Sequence, residues 1–464
     1  MAPVSVSVER FVTEGIALVS YVISDEGQRS ALLIDPSRDV EQYLDYAAAR
    51  GLTFAGVLET HVHADFASGS LEFAHRAGVP IYASRLGQLE FQHVPIDDGQ
   101  RIRFGEAELE AFFTPGHTPE HMSYLLFEES RDPRPTAMFS GDLLFVGEVG
   151  RPDLLGPKET EALTQQLYES LFQRLPGLPA GLIVYPGHGA GSSCGRSIGD
   201  APYTTLGQER LTNYALQPRT FQEFRHVILD DMPPAPNYYP VMKWLNKIGP
   251  PLLESLRPGE ALDVERFDEA ISQGGVIIDT RTNVDFARAH IPGSISIGLG
   301  PNFAPWSGWL APYEQSILLV LNDDEQYAGA RDKLRLIGLD TVTGYLSGGL
   351  PAWESSGRET QSFEAIGVDE LHSRLKTGDL QLVDVRSDDE WKVGHIKGAE
   401  HRFAGAFVKD ADAYVSGDEP IALICGSGYR SSVVASLLNS RGRQDVINVI
   451  GGMEIWTSAG YPTT

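Results

Sequence analysis

The sequence predicts a multidomain α/β chain, and three observations lead there. Its 464 residues correspond to about three domains at roughly 150 residues each. Short β-rich runs alternate with helical patterns along the whole length. Four motifs of the C-terminal half recur at a nearly constant offset, the mark of an internal duplication.

Composition narrows the class. A hydrophobic share of 42% supports sizeable cores. The 48 glycines and 29 prolines stay below the roughly 25–30% of low-complexity chains. Acidic residues outnumber basic ones 63 to 37, leaving a formal charge of −26. Such a surface repels phosphate backbones and anionic lipid heads, which argues against nucleic-acid and membrane partners. Two cysteines, Cys194 and Cys425, exclude a disulfide scaffold. Residues 1–10 lack a basic segment followed by an apolar one, and no run approaches the ~18 apolar residues of a membrane span. A cytoplasmic protein is expected; self-association is left open.

The first domain is expected over residues 1–230. Phe11 to Ile23 and Ser30 to Ile34 read as paired strands, and Gly56-Val-Leu-Glu59 as a strand entering a His-rich loop. Asp231 to Pro240 holds four prolines and, with Gly249-Pro-Pro251, bounds a short apolar helix near Val241–Ile248. Proline removes backbone donors and disfavours helix before it, so 231–257 reads as a stiff linker. Two related domains follow, 258–358 and 359–464. Asp279-Thr-Arg281 recurs as Asp384-Val-Arg386, and His290-Ile-Pro-Gly293 as His395-Ile-Lys-Gly398, both 105 positions on. Ile317–Leu321 matches Ile421–Cys425 at 104, and Gly348-Gly349 with Trp353 matches Gly451-Gly452 with Trp456 at 103. Each copy alternates strand-like and helical runs, as in a small parallel-sheet α/β domain.

Two constellations carry chemistry. In the first domain His61-Val-His63-Ala-Asp65 is followed by Gly116-His117, Gly141-Asp142 and Gly187-His188. Imidazole and carboxylate donors suit first-row divalent metals, and flanking glycines permit the tight turns that aim a ligand inward. His75, His93 and His121 match no motif position and read as surface or packing residues. In the last domain Cys425-Gly-Ser-Gly-Tyr-Arg430-Ser431 lies between an apolar run and a helical stretch. Such a strand–loop–helix turn points N–H groups and a helix N-terminus at one sulfur, stabilising a nucleophilic thiolate. Arg430 adds positive charge. The first copy has Leu321 in place of Cys425 and Gln326 in place of Arg430, with three acidic residues between, so it lacks this nucleophile.

The histidine pattern resembles the metallo-β-lactamase fold over about residues 5–230, which implies an αββα sandwich with a metal at one edge of two sheets. The later copies resemble rhodanese-type sulfurtransferases. The resemblance implies a persulfide loop of Cys425, Gly426, Ser427, Gly428, Tyr429, Arg430 and Ser431. The domain order, with an inactive copy before an active one, is similar to bacterial persulfide dioxygenase–sulfurtransferase fusions. Phe66 stands where binuclear hydrolases of the glyoxalase II group carry a histidine for a second metal. A mononuclear site is therefore expected. The dioxygenase resemblance implies one Fe(II) held by His61, His117 and Asp142, with His63, Asp65 and His188 orienting ligands and waters, or His63 as an alternative ligand. Arg151, in a Gly-Arg-x-Asp stretch, becomes a substrate-binding candidate, although pairing with Asp153 explains it equally well. Cys194, six residues past His188, becomes a candidate sulfur relay. The implied reaction oxidises the sulfane sulfur of a low-molecular-weight thiol persulfide with dioxygen to sulfite, and Cys425 exchanges sulfur between sulfite and thiosulfate. The alternatives are a zinc thioester hydrolase of the hydroxyacylglutathione type fused to a sulfurtransferase, and a non-catalytic sulfur-relay or sensor protein.

Overall fold

The computed structural model describes residues 6–128, 134–230, 232–378, 380–417 and 419–464. The first five residues, read above for a leader, and Asp231, the first of the expected linker, lie outside these. The chain forms two compact units, Met1–Leu256 with Arg335–Gly338, and Arg257–Leu334 with Leu339–Thr464.

The first unit contains two six-stranded sheets. One runs β1 (Val6–Thr13), β2 (Leu18–Asp25), β3 (Ser30–Ile34), β4 (Thr53–Leu58), β5 (Ile81–Ser84) and β6 (Val94–Ile96) in spatial as in chain order. The other holds β7 (Arg101–Phe104), β8 (Ala107–Phe113), β9 (Met122–Phe127), β10 (Ala137–Gly141), β11 (Ile183–Pro186) and β12 (Thr204–Thr205), in reverse spatial order from β12 to β7. The alternation of side chains along a strand explains the layering. Val19, Tyr21 and Ile23 of β2 meet Leu109, Tyr124 and Phe139 between the sheets. Val22, between them in sequence, points the other way into a second core with Tyr43, Phe54 and Phe73, under helices Glu41–Arg50 and Ser70–Ala77. On the far sheet Leu125 and Phe127 likewise turn outward against Leu167 and Phe224, from helices Pro157–Glu169 and Phe221–Leu229. This is the αββα sandwich. The expected strand from Phe11 to Ile23 is in fact a hairpin, with β1 and β2 antiparallel from Val6↔Asp25 to Thr13↔Leu18.

The segment expected as a linker departs most from its sequence reading. Residues up to Leu256 belong to the first unit, and helix Tyr239–Ile248 buries Tyr239, Met242, Leu245 and Asn246. Asn246 Oδ1 accepts from Ser68 N at 2.8 Å, while its Nδ2 donates to His63 O at 2.9 Å and Phe66 O at 2.7 Å. Tyr238 donates its phenol to Asp65 O at 3.2 Å. The prolines shape the approach, but the helix serves as a clamp on the His-rich loop.

The second unit contains two parallel five-stranded sheets. Strands β13 (Glu260–Leu262), β14 (Val276–Asp279), β15 (Ile295–Ser296), β16 (Ile317–Val320) and β17 (Val342–Leu346) lie in the order β13-β17-β16-β14-β15. Strands β18 (Glu364–Gly367), β19 (Gln381–Asp384), β20 (Glu400–His401), β21 (Ile421–Ile424) and β22 (Val446–Ile450) repeat that order as β18-β22-β21-β19-β20. The repeated Asp-x-Arg motif has one task in both. Arg281 forks onto Asp279, and Arg386 onto Asp384, each pair buried at the end of a strand. Among the described residues, no helix is long and apolar enough to cross a membrane.

Removing the Asn246 amide strands one buried N–H and two buried carbonyls. Asn246→Ala is expected to destabilise the first unit by about 3 kcal/mol, since each unmet buried group costs roughly 1–3 kcal/mol, and chemical denaturation followed by far-UV circular dichroism measures the loss.

Candidate metal centre and persulfide loop

The sandwich collects its ligating side chains where strands end. Thr60, His61, His63 and Asp65 follow β4, His117 follows β8, Asp142 follows β10 directly and His188 follows β11. His61 Nε2 and His117 Nε2 lie 3.9 and 3.4 Å from Asp142 Oδ2, and all three side chains are buried. Among the described residues, neither His61 Nε2 nor Asp142 Oδ2 has a hydrogen-bond partner. Buried polar atoms are ordinarily satisfied, so these orphans converging on one point fit a cation.

The surrounding hydrogen bonds fix both histidines in the ligating tautomer. Thr60 Oγ1 donates to Asp35 Oδ2 at 2.7 Å and therefore accepts from His61 Nδ1–H at 2.9 Å. His117 Nδ1–H donates to Arg151 O at 2.9 Å. Both Nε2 lone pairs then face Asp142. Burial, with neighbouring His63 and His117, pushes the His61 pKa well below its usual value, and burial lowers that of His117, so both stay neutral.

Asp142 is held from two sides. Its backbone N–H donates to His121 Nε2 at 3.0 Å, and His121 Nδ1–H then donates to Thr114 Oγ1 at 3.0 Å. Burial lowers the His121 pKa to about 3, keeping the ring neutral and able to accept that N–H. Asp142 Oδ1 accepts from His188 Nδ1 at 2.8 Å, and His188 Nε2 donates to Asp65 Oδ2 at 2.7 Å. Burial alone would lower the His188 pKa, but the two carboxylates raise it well above normal, so the ring is an imidazolium. His63 faces away from the triad. Its Nε2 is 3.2 Å from Asp35 and 3.1 Å from Glu59, and against the cost of burial they raise its pKa to about 10. Phe66, fully buried, packs on the His63 ring at a centroid distance of 4.4 Å. A narrow pocket reaches His61 and His63 past Leu71, Leu89 and Phe91.

Two substrate candidates find structural roles instead. Arg151 is buried, forks onto Asp153 at 2.7 and 2.6 Å and donates to Pro233 O at 2.7 Å. Its side chain is fully engaged, and what it offers the centre is the carbonyl that orients His117. Cys194 lies within ligand reach of Asp65 and His188 and packs with Phe145 and Ile198. Burial, with Asp65 and Asp142 nearby, pushes its thiol pKa far up, so it is a neutral packing group and a poor sulfur relay. His121, read from the sequence as a surface or packing residue, instead holds the Asp142 N–H, and Thr60, Asp35, Glu59 and Asn246 are additions to the sequence reading. Only Asp35, at a strand end before proline, left a local signal.

In the second unit β21 leads into the Cys425 loop, and helix Tyr429–Ser440 leaves it. Cys425 Sγ is buried and accepts from Gly428 N at 3.1 Å and Ser431 Oγ at 3.5 Å. The Gly-Gly anchor closes the loop from behind. Met453 N donates to Cys425 O at 2.8 Å and Glu454 N to Gly426 O at 2.9 Å, and a Cβ at Gly452 would lie 2.3 Å from Cys425 O. Arg430 is not a free positive charge. It forks onto Glu390 at 2.6 and 2.7 Å.

The first copy fills the equivalent loop with its own carboxylates. Asp323 accepts from Glu325 N at 3.0 Å, and Asp324 from Gly348 N at 3.1 Å and Ser347 Oγ at 3.0 Å. Glu325 N is thereby committed to a carboxylate, and Leu321 is buried where the thiol would stand.

The Arg430–Glu390 pair yields a pH test. Burial raises the Glu390 pKa, but Arg430 and the Ser387 cap outweigh it, taking the group from 4.5 to about 2. Its stabilising contribution is full above the unfolded value and fades as pH falls from 4.5 toward 2. Glu390→Gln should therefore melt below the parent chain at pH 7 and converge with it near pH 2, as read by thermal melts across that range.

The sequence comparisons agree with this geometry. The Metallo-beta-lactamase superfamily pattern matches residues 15–188, and the Rhodanese-like domain pattern matches 263–356 and 367–459. The hydroxyacylglutathione hydrolase-like protein of Mus musculus is 34% identical over 171 residues, 36% of this chain and 56% of that one. The human protein named Persulfide dioxygenase ETHE1, mitochondrial, is 31% identical over 175 residues, 36% of this chain and 63% of its own. This chain thus spans less than two thirds of either relative. A solved metallo-beta-lactamase from Staphylococcus aureus is 33% identical with a TM-score of 0.66, covering 74% of this chain and 98% of that one. The chain belongs to the metallo-β-lactamase superfamily and carries two rhodanese-like domains behind that fold.

Proposed function

We propose that this chain is a mononuclear non-haem iron persulfide dioxygenase coupled to a sulfurtransferase. The observation that carries the reading is the convergence of His61, His117 and Asp142, with His61 Nε2 and Asp142 Oδ2 lacking hydrogen-bond partners among the described residues. Asp65 and His188, which a second metal would need, are already paired with each other at 2.7 Å, and Phe66 offers no donor. One Fe(II), held by that two-histidine, one-carboxylate face, supplies the redox chemistry that joins dioxygen to sulfur. The substrate is a low-molecular-weight thiol persulfide, and the net change is RSSH + O₂ + H₂O → RSH + SO₃²⁻ + 2 H⁺. The protein's own work is to fix the ligating tautomers through Thr60 and the Arg151 carbonyl, and to keep the pocket beside His61 apolar. In the last domain Cys425 carries a sulfane sulfur as a persulfide, exchanging it between sulfite and thiosulfate. Sulfite made by the first reaction is thereby an acceptor for the second.

Similarity to hydroxyacylglutathione hydrolase-like proteins favours a second reading, a zinc thioester hydrolase with metal-activated water as nucleophile. Metal analysis separates the two. Iron near one per chain supports the dioxygenase, and two zinc ions per chain support the hydrolase.

Anaerobic protein reconstituted with Fe(II) should consume dioxygen on addition of a thiol persulfide and release sulfite. Retained iron without oxygen uptake would refute the dioxygenase. Asp142→Ala should lose both bound iron and uptake. Cys425→Ser should abolish sulfur transfer and leave uptake unchanged, and loss of both would show that the two activities do not reside in separate sites.

A further inference from the structure

The silent rhodanese-like copy reaches the active loop of its neighbour. Asn283 Nδ2 donates to Gly428 O at 3.0 Å, across 145 positions of sequence. Tyr429 donates its phenol to Gly298 O at 3.1 Å. Behind the loop, Ser296 N donates to Ser436 Oγ at 2.9 Å, and the hydroxyls of Ser296 and Ser432 lie 3.0 Å apart. His290 Nε2 meets Asn439 Oδ1 at 3.0 Å. The helix that starts at Tyr429 is thus held along its length by side chains and backbone of the other copy.

Asn283 acts where the chemistry is most sensitive. Gly428 has φ +101, a conformation that favours glycine, and its N–H is the backbone donor to Cys425 Sγ at 3.1 Å. A donor on the Gly428 carbonyl restrains rotation of that residue and with it the aim of the N–H. Asn448, of the active copy, donates to the same carbonyl at 3.2 Å. Two amides, one from each copy, therefore hold one glycine. Position 283 aligns with Asp388 of the active copy at the 105-residue offset. A carboxylate at 283 would set an acceptor against the Gly428 carbonyl, whereas the amide supplies the needed N–H.

We infer that Asn283 is a positioning residue for sulfur transfer, so that the silent copy completes the active site of the other. The inference rests on the reading of Cys425 as the sulfur carrier. In the step it serves, the Cys425 thiolate attacks the outer sulfur of thiosulfate, the S–S bond breaks, and sulfite leaves with the bonding pair. Cyanide then takes the sulfane sulfur as thiocyanate and restores the thiolate. An N–H aimed at Sγ assists the attacking and leaving sulfur rather than donor binding, so its loss should act on turnover.

The test is steady-state transfer from thiosulfate to cyanide by the full chain, with thermal melts alongside. Asn283→Ala should lower kcat about tenfold, the size expected for one hydrogen bond, while KM for thiosulfate and the melting temperature hold. Asn283→Asp should lose more. Unchanged kcat in both variants would overturn the inference, as would a raised KM with kcat retained, which would make Asn283 a wall of the donor site. Parent activity that vanishes in Cys425→Ser shows that the underlying reading stands while Asn283 is judged. A parent chain with no transfer overturns both.

Discussion

The first unit depends on how one buried carboxylate is partnered. Asp142 spends one oxygen on the His188 imidazolium and its N–H on His121, leaving the other oxygen free toward His61 and His117. A buried anion is tolerated only when paired or coordinated. The His188 bond supplies enough charge to keep Asp142 ionised without closing its second oxygen. If His188 were neutral, the carboxyl could hold a proton and the three donors would no longer form a ligand set. His63 repeats the logic one layer away, where Asp35 and Glu59 bind its charge and Thr60 ties that cluster to His61. The two acidic clusters set the direction in which every histidine of the loop points.

The second unit shows the same economy of backbone donors at two copies of one loop. Both copies anchor their Asp-x-Arg fork identically, but Gly451 N meets the Ser427 carbonyl whereas its counterpart Gly348 N meets the Asp324 carboxylate. They differ in what the loop's N–H groups meet. In one, Gly428 N meets a sulfur; in the other, Glu325 N meets Asp323, and Asp324 takes the N–H of Gly348 behind the loop. The silent copy is therefore a finished structure in its own right, with its loop as well satisfied as that of its neighbour.

Much of this architecture was legible in the sequence because its signals are local or strictly periodic. The duplication is visible through residues repeated at a fixed offset, and the metal-binding loops through histidine and aspartate beside glycine. Partnerships between distant positions were not legible. Arg430 read as a free charge because Glu390, forty positions earlier, sits inside an ordinary helix-capping pattern. The stretch from Phe11 to Ile23 read as one strand because its turn near Gly15 interrupts a β-rich run only briefly. The proline-rich segment read as a linker because proline density speaks about backbone stiffness and is mute about burial. Asn246 and Tyr238 bind backbone groups that carry no side-chain signature in the loop they clamp.

The self-filled loop of the silent copy also bears on what a cysteine placed there could do. A thiol placed at position 321 would find Glu325 N and Gly348 N committed to carboxylates, and Gln326 where the other copy has Arg430. A cysteine alone at 321 would be a thiol with no arginine at 326 and with carboxylates holding nearby amides, so this copy is built as a support and is more than one substitution away from a sulfur carrier.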